Sequence, residues 1–183
     1  MPSLFDMISL GAVAVHEVGD GTLRLGDSFY VEIVPSAPGW EEEAEGIHGL
    51  SKAYLQANGV SRKQAMHQLT TWVESTKDAG SSATFVGHNA PFDWSHVAWC
   101  YAAEGMKNPF GYKALCTKAL ATGVLNCHWL DSGKETIAES LGLPDEDMGQ
   151  KHRADYDAAY QALVLKGLLE KSRGLKTAAG FTD

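Results

Sequence analysis

Asp93, His152 and Asp157 are the residues whose types and spacing point most directly to chemistry. Asp93 closes the stretch Gly87-His88-Asn89-Ala90-Pro91-Phe92-Asp93, which follows the apolar run Ala83-Thr84-Phe85-Val86. Pro91 suits the first position of a helix, so Asp93 falls in the opening turn. A carboxylate there complements the helix N-terminus, typically by about 0.3–1 kcal/mol, and that role alone accounts for an aspartate. The spacing of Phe92, His96, Trp99, Cys100 and Ala103 also predicts an apolar stripe, with Asp93 at its border. The carboxylate is then aimed along the rim of the core at a strand end, where open α/β sheets place ligands.

Asp157 repeats the arrangement. In Lys151-His152-Arg153-Ala154-Asp155-Tyr156-Asp157 it borders a stripe of Ala154, Ala158, Ala162, Leu165 and Leu169. His152 stands five residues earlier, about 140° away on an ideal helix. The pair can share a site only where His152 lies in the approach to the helix and Asp157 in its second turn. Otherwise both are surface residues. Asp155 points to neither the stripe nor its border.

These candidates need a frame. Met7 to Val15 is short, apolar and β-branched at its end, which predicts a buried strand. Gly19-Asp20-Gly21 is a turn signal, and Ser28 to Val34 alternates well enough for a second strand closed by Pro35. An antiparallel hairpin therefore opens the chain. Glu41 to Glu45 reads as the solvated face of a short helix. Ser61 suits the N-cap of a helix through Thr76, with Ala65, Leu69, Trp72 and Val73 on one stripe. A strand over 83–87 and a helix over 91–104, stopped by Gly105, come next. A short strand over 112–116 and a short helix over 135–141 follow, and His152 opens the last long helix. A hairpin followed by alternating helices and strands predicts an α/β fold with a mixed sheet.

The bulk properties fit one domain over 1–183: 183 residues, 44% of them hydrophobic, suffice for a single sizeable core. A formal charge of −8 excludes an extended basic surface that coats nucleic acid, though not a site gripping a few nucleotides at a strand end. Cys100, Cys116 and Cys127 lack the paired spacing of a zinc site and read as ordinary thiols of a reducing cytoplasm. A cysteine hydrolase is disfavoured, because Cys100 lies on an apolar stripe and Cys127 and His128 are adjacent, so their side chains diverge. The apolar run Ile8 to Val15 is preceded by Asp6 rather than by Lys or Arg, and it is too short to span a bilayer. It is a strand, and no membrane partner is expected.

Gly87-His88-Asn89-Ala90-Pro91-Phe92-Asp93 resembles the second motif of the DEDDh 3′–5′ exonucleases, the family of RNase T and the proofreading subunit of bacterial DNA polymerase III. His152-Arg153-Ala154-Asp155-Tyr156-Asp157-Ala158 resembles the third motif. Ile8 to Val13 resembles the family's second strand, and Ile47-His48-Gly49-Leu50-Ser51 a further signature. The order agrees, and the resemblance runs over nearly the whole chain.

The resemblance implies an RNase H-like fold, a mixed five-stranded central sheet flanked by helices. It also implies removal of nucleotides from single-stranded or frayed 3′ ends of DNA or RNA, with two Mg²⁺ or Mn²⁺ ions. A phosphodiester is anionic and resists water, so two divalent cations about 4 Å apart gather the attacking and leaving oxygens. Such hard cations prefer carboxylate oxygen, and a neutral histidine takes the water's proton. Carried over by position, Asp157 would ligate a metal directly, Asp93 would support the second, and His152 would be the general base. Asn89 and His48 would contact nucleic acid, and Phe92 would pack beneath the corner as core. In the sister group a tyrosine replaces the histidine, four residues before the last aspartate. That position is Arg153 here, so the histidine variant matches.

The family's first two carboxylates, an Asp-x-Glu on the opening strand, have no counterpart. Met1 to Asp6 cannot supply a central strand and its turn, Asp6 stands where the family has turn, and Glu17 and Asp20 lie beyond the next strand. Two carboxylates then face two dications, and the sheet lacks its central strand unless another chain or segment fills the gap. Three explanations stand open: a start upstream of this methionine, a paralogue that binds nucleic-acid ends or a protein without cutting, or an acidic group from a second chain or rearranged segment. Family members often form homodimers, and a missing strand adds pressure to pair.

Overall fold

The computed structural model describes residues 2–19 and 21–178. β1 (Ser9–Glu17) and β2 (Leu23–Glu32) make the antiparallel hairpin, with Ser9 opposite Glu32 and Glu17 opposite Leu23. The register shifts between Val13 and Val15, as an extra residue in one strand requires. Gly21, at φ 81°, takes the left-handed backbone that closes the turn, and its N–H donates to the Val18 carbonyl at 2.7 Å. Asp20 lies outside the described residues. β2 starts earlier than the alternation of 28–34 suggests, because Leu23 to Leu25 pair with Val15 to Glu17 across the turn and bury Leu23.

α1 (Glu42–His48) carries the acidic cluster, and α2 (Lys52–Asn58) is capped by Ser51, which accepts from the Tyr54 N–H. Ser61 caps α3 (Arg62–Thr76) by accepting from the Gln64 N–H, and Ala65, Met66, Leu69 and Val73 are its buried face. β3 (Phe85–Gly87) leads into α4 (Pro91–Ala103) and pairs in parallel with β4 (Ala114–Cys116). α5 (Thr117–Leu125), a 3₁₀ turn at Trp129–Asp131, and α6 (Lys134–Leu141) precede α7 (Ala154–Ala178). No helix among the described residues is long and apolar enough to cross a membrane.

The strands form two separate pairs, β1–β2 and β3–β4, and among the described residues no strand joins them. The core is likewise in two parts. One gathers Val31 and Ile33 with Met66 and Leu69 of α3 and Val97 and Tyr101 of α4. The other packs Ala121 of α5 and Ile137 of α6 against Tyr160, Val164 and Leu168 of α7. β1 is half-buried along nearly its whole length, where its apolar sequence predicts full burial. Among the described residues, no strand lies against its edge toward β3.

α4 presents a different face from the one its large side chains suggest. Val97, Cys100 and Tyr101 are buried, whereas Phe92 is 65% and Trp99 40% exposed. Positions 93, 97, 100, 101 and 104 form one helical row, so Asp93 lies on the inward face itself rather than at its border. Phe92 is accordingly not core beneath the corner; it stands at the surface against the His96 ring, centroids 5.3 Å apart. Contact with α3 and β3 selects the buried row. Phe85 packs on Trp94 at 5.2 Å, and the Tyr101 hydroxyl meets Thr70 Oγ1 at 2.9 Å.

Candidate active site

The carboxyl end of β3 fixes Asp93. A Cβ on Gly87 would lie 3.3 Å from both Asp93 Oδ2 and Ala90 Cα, so the turn is drawn tightly over the strand's last residue. Asn89, at φ 57°, reverses the chain, and its carbonyl accepts from the Phe92 N–H at 3.0 Å to start α4. The turn is also tied to α7, because the His88 N–H donates to Gln161 Oε1 at 2.9 Å.

α7 delivers Asp157. Its first residue, Ala154, rests directly on Gly11 of β1: a Cβ there would be 2.0 Å from the Ala154 carbonyl oxygen. Asp157 donates its N–H to the Arg153 carbonyl at 2.9 Å and lies in the first turn, one turn earlier than the sequence suggests. His152 does not open the helix. It precedes it with a left-handed backbone, φ 72°, in the approach that a shared site demands.

Asp93, His152, Asp157 and His48 line one cavity of about 1000 Å³ between β1, β3, α3 and α7. Asn89 is not part of that lining; its side chain is exposed at the turn beside it. Burial, then the negative charge of Asp157, pushes the Asp93 carboxyl above the usual aspartate range, against its own backbone hydrogen bond and the pull of Lys134. Asp157 Oδ1 is buried without a hydrogen-bond donor. The nearest cation is Lys134 Nζ at 3.8 Å, itself engaged by Glu146 Oε1 at 2.9 Å. His88 is pushed down to about 4 by burial and then by Lys134 and Lys118, against Glu146, so it is neutral at neutral pH.

The other acidic candidates are accounted for elsewhere. Asp6 accepts the N–H groups of Ser36 and Ala37 and the Ser36 hydroxyl, and so ties the N-terminal segment down. Glu17 pairs with Arg173 at 2.8 Å, and Asp155 with Arg153 at 2.9 Å. His48 Nδ1 accepts from the Leu50 N–H at 3.1 Å. Burial pushes the Cys100 thiol up to about 11, which leaves it inert as a nucleophile. Sequence reasoning missed Gln161 and Lys134. Gln161 stands four residues past Asp157 and was legible from helical spacing. Lys134 was not, because its approach depends on how α6 packs on α7.

Among the described residues, no group of three or more His, Cys, Asp or Glu side chains converges to hold a metal. A donorless buried oxygen on Asp157 and a carboxyl beside it suit one cation. They do not complete the oxygen-rich shells of two divalent ions.

The model of the Rv2179c-like 3′–5′ exoribonuclease domain family matches residues 3–169. The chain belongs to that family. The 3′–5′ DNA exonuclease Cap18 of Escherichia coli is 30% identical over 171 residues, 93% of this chain and 86% of the relative. The nuclease domain of 3′hExo, a DEDDh family member solved with rAMP, superposes with a TM-score of 0.69 at 13% identity, over 92% of this chain and 94% of that one. A 3′-exonuclease solved in 3′-end specific recognition of a histone mRNA stem-loop gives 0.67 at 12% identity, over 92% and 83%. At such identities the structural likeness establishes the fold, and it bears out the RNase H-like α/β architecture. The Rv2179c-like domain is thus a 3′–5′ exonuclease at the level of its family.

Proposed function

We propose that this Rv2179c-like domain, working as one unit, removes nucleotides stepwise from single-stranded or frayed 3′ ends. The observation that carries this is the meeting of Asp93 and Asp157 in one cavity, each delivered by the first turn of its helix, with His152 at the approach. Asp157, through its donorless oxygen, and Asp93 beside it bind a divalent cation, Mg²⁺ or Mn²⁺. Such an ion supplies polarisation of the phosphate and acidification of water. His152 accepts the water's proton on a ring nitrogen. Asn89, exposed at the β3–α4 turn, and His48, in the cavity wall, contact the nucleotide chain.

The two-ion form of the reaction requires carboxylates beyond this pair. The family is described for RNA and the Escherichia coli relative for DNA. Both polymers present the same 3′-terminal phosphodiester, so the proposal specifies the end rather than the sugar. The short ligand set supports a second reading, a domain that holds nucleic-acid ends or a protein without cutting them. Digestion of 5′-labelled single-stranded DNA and RNA in Mn²⁺ decides. Stepwise 3′ shortening that disappears in Asp157→Ala supports the exonuclease and names its substrate. Retention of the labelled strands without shortening supports the second reading.

A further inference from the structure

Two exposed aromatic rings each lie under a lysine. Lys118 Nζ stands 5.0 Å from the centre of the Trp129 ring, and Lys113 Nζ 5.2 Å from that of Tyr112. Trp129 is 45% and Tyr112 82% exposed. Among the described residues, neither lysine pairs with a carboxylate. An open ring beside a cation is what a nucleotide asks for, because it offers a base to stack and a phosphate to neutralise.

Only the first pair stands at the end of the strands where Asp93 and Asp157 meet. β4 runs parallel to β3 with Cys116 beside Gly87, so Tyr112 and Lys113, which precede β4, lie at the far end. Thr117 follows Cys116, and its Oγ1 is 3.2 Å from His88 Nδ1. Lys118 comes next. After burial, the charges of Lys134 and then Lys118 hold His88 below its usual value, which places both ammonium groups around the β3–α4 turn. Trp129 is fixed on the same rim. The buried Ser132 hydroxyl donates to the Trp129 carbonyl at 2.6 Å, and His128 Nδ1 accepts from the Leu130 N–H at 3.3 Å. Neither bond uses the indole, so the turn closes without it. Lys134, whose Nζ is 3.8 Å from Asp157 Oδ1, follows five residues later, at most about 18 Å of chain. The ring is therefore within a few nucleotides of the corner.

We propose that Trp129 and Lys118 form a nucleotide subsite on the rim of the corner, where the indole stacks on a base upstream of the 3′ end and the ammonium meets an adjoining phosphate. The subsite rests on the binding of nucleic-acid 3′ ends proposed above, whether or not the strand is then cut.

The test reads binding alone. Labelled single strands, as DNA and as RNA, carry a non-hydrolysable phosphonate at the 3′-terminal linkage. They are titrated with the full chain in Mn²⁺ by fluorescence anisotropy. Trp129→Ala should weaken binding by about fivefold or more, and Trp129→Phe, which keeps a ring, by less. An abasic site is then moved one nucleotide at a time from the 3′ end. At one position it should cost the parent about fivefold or more and cost Trp129→Ala little, since ring and base form one contact. A merely structural tryptophan would not single out one nucleotide. Lys118→Ala should lower the slope of log affinity against log salt by about 0.7, as one lost phosphate contact requires. Tyr112→Ala, the same chemistry at the far end of β4, should leave these readouts unchanged. Abasic costs equal in parent and Trp129→Ala at every position, in both polymers, overturn the subsite. So does a parent that retains neither strand, or a loss in Tyr112→Ala as large as in Trp129→Ala. An unchanged salt slope in Lys118→Ala overturns the phosphate contact. Strands held at this subsite but never shortened would count against cleavage in the digestion assay and leave the subsite standing.

Discussion

Gly11→Ala puts one methyl group between β1 and the start of α7. A Cβ at Gly11 meets the Ala154 carbonyl oxygen at 2.0 Å, the Ala154 carbonyl carbon at 2.3 Å and the Asp155 nitrogen at 2.6 Å. Carbon atoms ordinarily approach to about 3.5–4.0 Å, so the contact must open by more than about 1 Å. All three obstacles are backbone, and no side chain can swing aside. Overpacking of this kind costs about 1–3 kcal/mol. At roughly 2–4 °C per kcal/mol for a chain of this size, the melting temperature falls by about 2–12 °C. Activity should fall further than stability. Asp157, proposed above to hold the cation, lies three residues beyond Ala154, and displacing such a group by about 1 Å costs on the order of a hundredfold. Gly26→Ala is the control, because its Cβ would clash with the far end of the His16 ring, at 2.7 Å from Nε2, which can rotate away, and would meet Ala14 Cβ at an ordinary 3.4 Å. The assay pairs thermal melts with digestion of a 5′-labelled strand. A Gly11→Ala protein that melts and digests like its parent would refute the close approach of strand and helix.

Three further outcomes follow from the same physics. Asp93 has a folded-state carboxyl raised by burial and by Asp157, so the folded state holds its proton more readily, and stability declines as pH rises through the window above the ordinary aspartate value. Asp93→Asn should therefore stabilise the fold at neutral pH by about 0.5–2 kcal/mol, lose that advantage in strong acid, and abolish digestion; melts at both pH values and the digestion assay check this. His88 is lowered from 6.5 to about 4, so its contribution is complete above 6.5 and is lost as pH falls toward 4. Discounted for the ring's partial exposure, the loss is on the order of 1 kcal/mol, and urea midpoints across that window should flatten in His88→Gln. Ser61→Ala removes the cap on the Gln64 N–H and should lower the urea midpoint by about 1 kcal/mol of stability without changing the digestion pattern.

What the sequence revealed was mostly local. Ser61 as a cap, Pro91 at a helix start and Gly105 past a helix end depend on neighbours a few residues away, and they appear where expected. The facing of α4 depends on what covers it. Phe92 and Trp99 are large and apolar, yet α3 and β3 cover the row of Val97, Cys100 and Tyr101 instead. His152 illustrates a second gap, since no glycine or proline beside it marks the left-handed turn that keeps it out of α7. The apolar run of β1 promised burial on both edges, but burial depends on a neighbouring strand that the described residues do not provide. Asp93 and Asp157 stood out in the sequence because each falls in the opening turn of a helix, although Asp93 lies on the buried row of α4 rather than at the border of the stripe the sequence suggested. Lys134 reaches Asp157 only through the packing of α6 on α7.

Mn²⁺ binding to the 183-residue chain, measured by the loss of free-ion signal in electron paramagnetic resonance, tests the shared corner most directly. Asp157→Ala and Asp93→Asn are titrated beside the parent. If the two carboxylates hold one cation together, each substitution weakens Mn²⁺ binding by about tenfold or more. Equal Mn²⁺ retention by all three proteins would contradict a common site at the ends of α4 and α7.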